Sequence, residues 1–290
     1  MNKKICGIAA LILCVLACLA GCGKTAGSDT NPVNTSASES VSGRVLRVGM
    51  ECAYAPNNWE EDAPSDTNLP ISNNSGFYAE GYDVRIARRV GEALGAEIQI
   101  VKYPWDGLLE ALNQGQIDMI VSGMVDSEEH KQAAAFSDTY AIQATEYSIM
   151  VKKDSAFAGA TGLSGFAGAS IIGQRGTKLD TVIDQIPGVH HVSPVDTIPN
   201  MIDRLNADTV DGIVINLDSA QAYQKTYPDL AITELSAEDG FTLDFSGICI
   251  GVRKDDTELL SEVNTALAGI SMDTRKELMA EVTAKVGEVR

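Results

Sequence analysis

Residues 82–103 read YDVRIARRVGEALGAEIQIVKY, and their two halves obey different periodicities. Val84, Ala87, Val90 and Leu94 fall on one face of a helix, and Gly95 is the residue type that ends helices in the left-handed conformation. AEIQIVKY (96–103) then alternates as a strand. Upstream, VLRVG (45–49) is a short buried strand; downstream, WDGLLEALNQGQ (105–116) predicts a second helix and IDMIVSG (117–123) a third strand. Strand, helix, strand, helix, strand is the grammar of a parallel sheet wrapped by helices.

The same grammar restarts after residue 155. ASIIG (169–173) predicts a strand, QRGT (174–177) a turn, and 178–186 a helix. HHVSPV (190–195) predicts a strand, 197–207 a helix, DGIVIN (211–216) a strand, 217–225 a helix and LAITEL (230–235) a strand. The end, SGICIGVRKDDTELLSEVNTALAGIS (246–271), offers one more strand and a helix with Leu259, Leu260, Val263 and Leu267 on one face. A tail of this kind completes the first unit, so the chain would cross between two α/β lobes twice. The long segment 50–81, rich in Asn, Ser and Pro, reads as a loop directly after the first strand, a place where loops usually serve function.

The N-terminus has another character. MNKKICGIAALILCVLACLAGC (1–22) places Lys3 and Lys4 before an apolar run too short for a permanent membrane helix, which is an export signal. LAGC (19–22) has the form of a bacterial lipobox, so cleavage is expected after residue 21, with lipid carried on Cys22. Residues 22–43 have almost nothing to bury and predict a flexible tether. The protein would sit on the outer face of the cell membrane, held by a lipid anchor. Cys6, Cys14 and Cys18 leave with the signal; Cys52 and Cys249 remain, either as a pair or as two small core residues. A net charge of −18 argues against nucleic acid and anionic lipid headgroups as partners.

The phrases LRVGMECAYAP (46–56), GYDVRIARRVGEALG (81–95), WDGLLEALNQGQIDMIVSGM (105–124), AFSDTY (135–140) and VDGIVIN (210–216), in this order and spacing, resemble the extracellular solute-binding proteins of polar amino acid ABC importers. The resemblance implies a two-lobed periplasmic-binding-protein-like fold of type II. Its two α/β lobes are joined by a two-strand hinge, with lobe 1 formed by 44–142 and 242–290 and lobe 2 by 143–241. It implies a small polar solute held in the cleft, an ABC permease and its ATPase subunit as partners, a monomer, and no cofactor or metal.

Site residues follow from the same resemblance. Tyr54 and Trp105 match the aromatic positions that sandwich the ligand, and Trp105 also follows a proline at a strand's carboxyl end. Glu51 matches an acidic position that meets a ligand's side-chain charge. Ser122 and Gly123 match the segment that meets the ammonium and carboxylate. Gly176 and Thr177 match the turn whose amides face the carboxylate, and Lys178 follows them as a candidate positive charge.

Three positions depart from the family's pattern. The arginine that grips the carboxylate falls on His130, which is shorter, unforked and charged only when protonated. The aspartate that accepts the α-ammonium falls on Asn216, and Val125 stands where a hydroxyl is common. Together they imply a ligand other than an ordinary α-amino acid: a compound lacking the ammonium, or a cation boxed by Tyr54 and Trp105 with Glu51 as counter-charge. Two rival functions remain on the same fold: a dehydratase-type cleft enzyme using Glu51, Asp106, Asp218 and His130, and a receptor read by a signalling partner.

Overall fold

The computed structural model describes residues 43–141, 146–236, 238–245 and 247–286. The export signal, Cys22 and the tether lie outside these residues. No helix within them is long and apolar enough to cross a membrane.

In chain order the elements are β1 (Arg44–Met50), β2 (Ala53–Tyr54), β3 (Asn58–Glu61), β4 (Leu69–Pro70), β5 (Tyr78–Glu80), α1 (Tyr82–Leu94), β6 (Ala96–Lys102), α2 (Leu108–Asn113), β7 (Met119–Ile120), α3 (Glu128–Ala133) and β8 (Ala135–Ala141). Then follow β9 (Tyr147–Lys152), β10 (Ser170–Ile172), α4 (Lys178–Thr181), β11 (His190–His191), α5 (Ile198–Asn206), β12 (Gly212–Asn216), α6 (Leu217–Thr226), β13 (Leu230–Thr233), β14 (Ile248–Val252), α7 (Thr257–Ala268) and α8 (Met272–Val286).

Two sheets organise the chain, ordered β6-β1-β7-β14-β8 and β11-β10-β12-β9-β13. In each, the βα units pair in parallel: β1 with β6 and β7, β10 with β11 and β12. The expected parallel sheets are each interrupted by one antiparallel strand, set one place in from an edge. β14 runs antiparallel to β7 and β8, and β9 antiparallel to β12 and β13. The reason is connectivity. The chain leaves the first sheet after Ala141, enters the second at Tyr147, and returns from Thr233 to Ile248, so each crossing delivers a strand running against its neighbours. The tail does complete the first sheet, because β14 lies inside it.

Each sheet has its own core. Val48, Val84, Ala87, Val90, Ile250 and Val263 pack on the first sheet, and Ile149, Ile171, Met201, Ile202 and Ile213 on the second. Two residues cross over: Tyr54 packs with the second core and Ala222 of α6 with the first. Gly95 ends α1 at φ 60, as its position foretold. The 50–81 segment, read as a loop, instead carries a small antiparallel sheet, β2-β3-β5-β4. Cys52 and Cys249 are both buried and free, so they are separate core residues.

Candidate functional site

The parallel strands end on one side of each sheet, where open α/β sheets generally hold ligands. Glu51 follows β1, Trp105 opens a 3-10 turn after β6, Ser122 and Gly123 follow β7, residues 174–178 follow β10, and Asn216 ends β12. Between the two sheets lies a cavity of about 30 Å³. Glu51, Tyr54, Trp105, Gly123 and His130 line it from one side, and Thr177, Lys178 and Asn216 from the other.

The remaining two expected residues stand just behind. Ser122 Oγ accepts the Glu51 N–H at 3.0 Å, and the Gly176 carbonyl accepts Trp105 Nε1–H at 2.9 Å. Sequence reasoning missed Tyr147, Gln174 and Leu179, which also line the cavity. Gln174 was within reach, since it opens the QRGT turn; Tyr147 was not, because β9 went unread.

Three side-chain hydrogen bonds span the cleft. Tyr54 Oη–H donates to Asn216 Oδ1 at 2.6 Å, Gln174 Nε2–H to Glu51 Oε1 at 2.8 Å, and Trp105 Nε1–H to Gly176 O at 2.9 Å. Each contributes on the order of 1 kcal/mol net to holding the lobes together.

His130 occupies a fixed place. Ser127 caps α3 by accepting the His130 N–H at 3.2 Å, and His130 Nδ1 meets the Val125 carbonyl at 2.8 Å. A carbonyl only accepts, so Nδ1 carries a proton, and in the neutral ring Nε2 is then an acceptor. The ring packs between Trp105 and Phe136, with centroids 6.2 and 6.4 Å away. Glu51 is buried, and burial pushes its carboxyl up to about 7 against the opposing pull of the Gln174 hydrogen bond and Lys102.

The second-lobe candidates make other contacts as well. Lys178 lines the cavity, and its ammonium donates to Asp244 Oδ2 at 2.9 Å, which offsets part of its charge. The amides of Gly176 and Thr177 were expected to face a carboxylate. The Thr177 N–H instead closes the turn onto Gln174 O at 3.3 Å, and Gly176, at φ 70, turns its carbonyl toward Trp105. The Thr177 hydroxyl both donates to Gln174 O and caps α4 by accepting the Leu179 N–H.

Behind the cavity a buried network ties two of its loops together. Asp83, fully buried at the start of α1, accepts from Tyr140 Oη–H and Asn58 Nδ2–H, both at 2.7 Å. Asn58 Oδ1 accepts the Cys52 N–H at 2.7 Å, and Gly123 N–H donates to Tyr140 Oη at 3.4 Å. Burial pushes the Asp83 carboxyl up to about 7 despite these donors. The sequence marked Asp83 only as part of a helix.

Known proteins share this architecture. The signature of the bacterial extracellular solute-binding proteins, family 3, matches residues 46–283. The arginine-binding extracellular protein of Bacillus subtilis (strain 168) is 27% identical over 262 residues, covering 89% of this chain and 90% of its own. The L-cystine-binding protein of Escherichia coli (strain K12) is 26% identical over 239 residues, 81% of each chain. Among solved structures, an amino acid ABC transporter substrate-binding protein from Streptococcus pneumoniae bound to L-arginine has a TM-score of 0.70 at 19% identity, covering 84% of this chain and 96% of its own. An ancestral arginine-binding protein bound to glutamine has a TM-score of 0.66 at 26% identity, covering 82% and 96%.

Proposed function

This chain belongs to family 3 of the bacterial extracellular solute-binding proteins, and from that premise we propose that it is the binding component of an ABC importer, capturing a small polar amino acid or amino-acid-like solute between two lobes. The observation that carries this reading is the cavity at the strand ends, lined from both sheets and crossed by side-chain hydrogen bonds. A ligand exchanging with those bonds would set the equilibrium between open and closed lobes, which is the signal a permease needs. The lobes we assign are 44–142 with 242–290, and 143–241. Lipid on Cys22 and the tether through residue 43 would hold them outside the membrane, beside the permease and its ATPase subunit. The relatives compared are solute-binding proteins, and we read this chain, like them, as a binder and not an enzyme.

Within this reading the ligand departs from an ordinary α-amino acid. His130 offers no fork for a carboxylate, Asn216 no charge for an ammonium, and the Lys178 charge is held by Asp244. A thermal-shift screen tests both levels: the standard L-amino acids beside amines, betaines, keto acids and acylated or cyclised amino acids, since a bound ligand raises the melting point by mass action. Shifts confined to compounds lacking the α-ammonium or the α-carboxylate are expected. A clear shift with arginine, glutamine or cystine would make His130 and Asn216 tolerated replacements, and no shift with any compound would remove the binding reading itself.

A further inference from the structure

The hydrogen-bonding valences around the cavity are unequal. Many of the side-chain donors are committed: both Gln174 Nε2 protons go to Glu51 Oε1 and to the Asp196 carbonyl (3.0 Å), Trp105 Nε1–H to Gly176 O, Tyr54 Oη–H to Asn216 Oδ1, Thr177 Oγ1–H to Gln174 O, and His130 Nδ1–H to Val125 O. Two of these acceptors, the carbonyls of Asp196 and Val125, can only accept, which fixes the orientation of the Gln174 amide and the tautomer of His130. With Glu51 ionised and His130 neutral, the valences left over are acceptors: the second oxygen of Glu51, the Gln174 carbonyl oxygen and His130 Nε2. Tyr147 adds a hydroxyl that serves either way.

The charges point the same way. Of the charged groups lining the cavity, Lys178 is paired with Asp244 and Glu51 is an acid. Lys102 lies beyond Glu51 but is bound to Glu60 at 2.6 Å, and Asp106 adds further negative potential. Around this centre stand the rings of Tyr54, Trp105 and Tyr147, aromatic side chains of the kind that hold cations.

We propose that the site takes a small organic cation with several N–H donors, an amine or guanidine whose gripped end carries no carboxylate, with Glu51 as its counter-charge. This rests on the solute-binding reading above and narrows it to a ligand class. A carboxylate would meet three acceptors and no uncommitted cation, and its own charge would oppose Glu51. A cation would satisfy the acceptors and favour the ionised form of Glu51, whose carboxyl burial pushes up to about 7. The other titratable groups facing Glu51 are His130 across the cavity and Tyr54 and Tyr223 beside it, and none of these brings a fixed positive charge.

Matched pairs that differ only by the carboxylate provide the test: arginine against agmatine, histidine against histamine, ornithine against putrescine, titrated calorimetrically into the full chain. In at least one pair the decarboxylated member is expected to bind tenfold or more tightly, with proton release that changes the apparent heat between phosphate and Tris buffers near pH 7. Glu51→Gln should weaken that amine tenfold or more and abolish the proton release. An amino acid that matches or exceeds its amine overturns this inference while leaving the solute-binding reading intact. Binding of no member of any pair overturns the inference, and failure across the wider solute screen then tells against the binding reading as well. Unchanged amine affinity in Glu51→Gln removes Glu51 as the counter-charge.

Discussion

Removing the Trp105 indole takes away both an aromatic wall of the cavity and the donor to Gly176 across the cleft. Trp105→Ala should therefore weaken the ligand found in the screen by about one to several kcal/mol, measured by calorimetric titration. Unchanged affinity would take Trp105 out of the site. His130→Arg asks the opposite question, because a guanidinium restores five fixed donors where neutral imidazole presents one acceptor. The variant should gain affinity for L-arginine by about tenfold or more over the wild type, roughly one good charge-assisted bond; no gain would mean that position 130 does not limit carboxylate binding. At this scale the sequence was informative where a side chain follows a strand end within a familiar phrase, as at Glu51, Tyr54, Trp105 and Asn216. It was silent on commitments made through space. Nothing local says that Lys178 will meet Asp244 or that Gln174 will reach Glu51, because those partners are 66 and 123 residues away.

The loop after β7 is held by Gly123, which sits at φ 68 with its missing Cβ aimed at the Tyr54 ring. Gly115, which precedes β7, has nearly the same backbone, φ 70, but open space around it. Gly115→Ala should then cost only the left-handed backbone penalty, about 1–2 kcal/mol. Gly123→Ala should cost that and about 1–3 kcal/mol more, because Tyr54 must shift and its bond to Asn216 is strained. Urea denaturation of the two variants compares them, and equal losses would mean that Tyr54 yields freely. Elements with strong periodicity, such as α1, α5 and β12, were legible in the sequence. The pieces that escaped it are short or faintly patterned. β2 to β5 have two to four residues each, too few for an alternation to register, and pair only with one another. In α8 the buried Leu278, Met279, Val282 and Val286 come only after a charged first turn and a half. β9 reads as an apolar run whose antiparallel direction is set by the crossing between lobes, a property of the path of the chain.

For the whole molecule, two sets of acids respond to pH in opposite senses. Glu51 and Asp83 are pushed up to about 7 by burial, from ordinary values of 4.5 and 3.8. The folded state therefore binds their protons more tightly than the unfolded chain does. The stability they contribute is complete below the unfolded values and is lost as pH rises through about 7. Glu80 and Asp118 behave oppositely. Burial works to raise both, but Lys285, Thr67 and Arg85 around Glu80 and Arg47 around Asp118 outweigh it and hold them below the usual range, so their contribution is complete above the unfolded values and is lost as pH falls through the lowered ones. His191, despite partial burial, is raised by Asp180 and Asp184, and its contribution also fades as pH rises through the raised value. The sum places the stability maximum near the unfolded carboxyl values, about pH 4 to 5, with a decline as pH rises to about 7. General repulsion in a chain of net charge −18 would slope the same way, so the decline alone does not identify its cause. Single replacements do. Glu51→Gln or Asp83→Asn removes one charge among many and would scarcely change a general repulsion, yet each should flatten the decline between pH 5 and 8 if the buried carboxyl produces it. Urea midpoints across that range, for the wild type and both variants, decide the matter. A wild-type midpoint that rises steadily from pH 5 to 8 would mean that Glu51 and Asp83 are ionised without cost in the folded chain, and that the hydrogen bonds from Tyr140 and Asn58 compensate fully for the burial of Asp83.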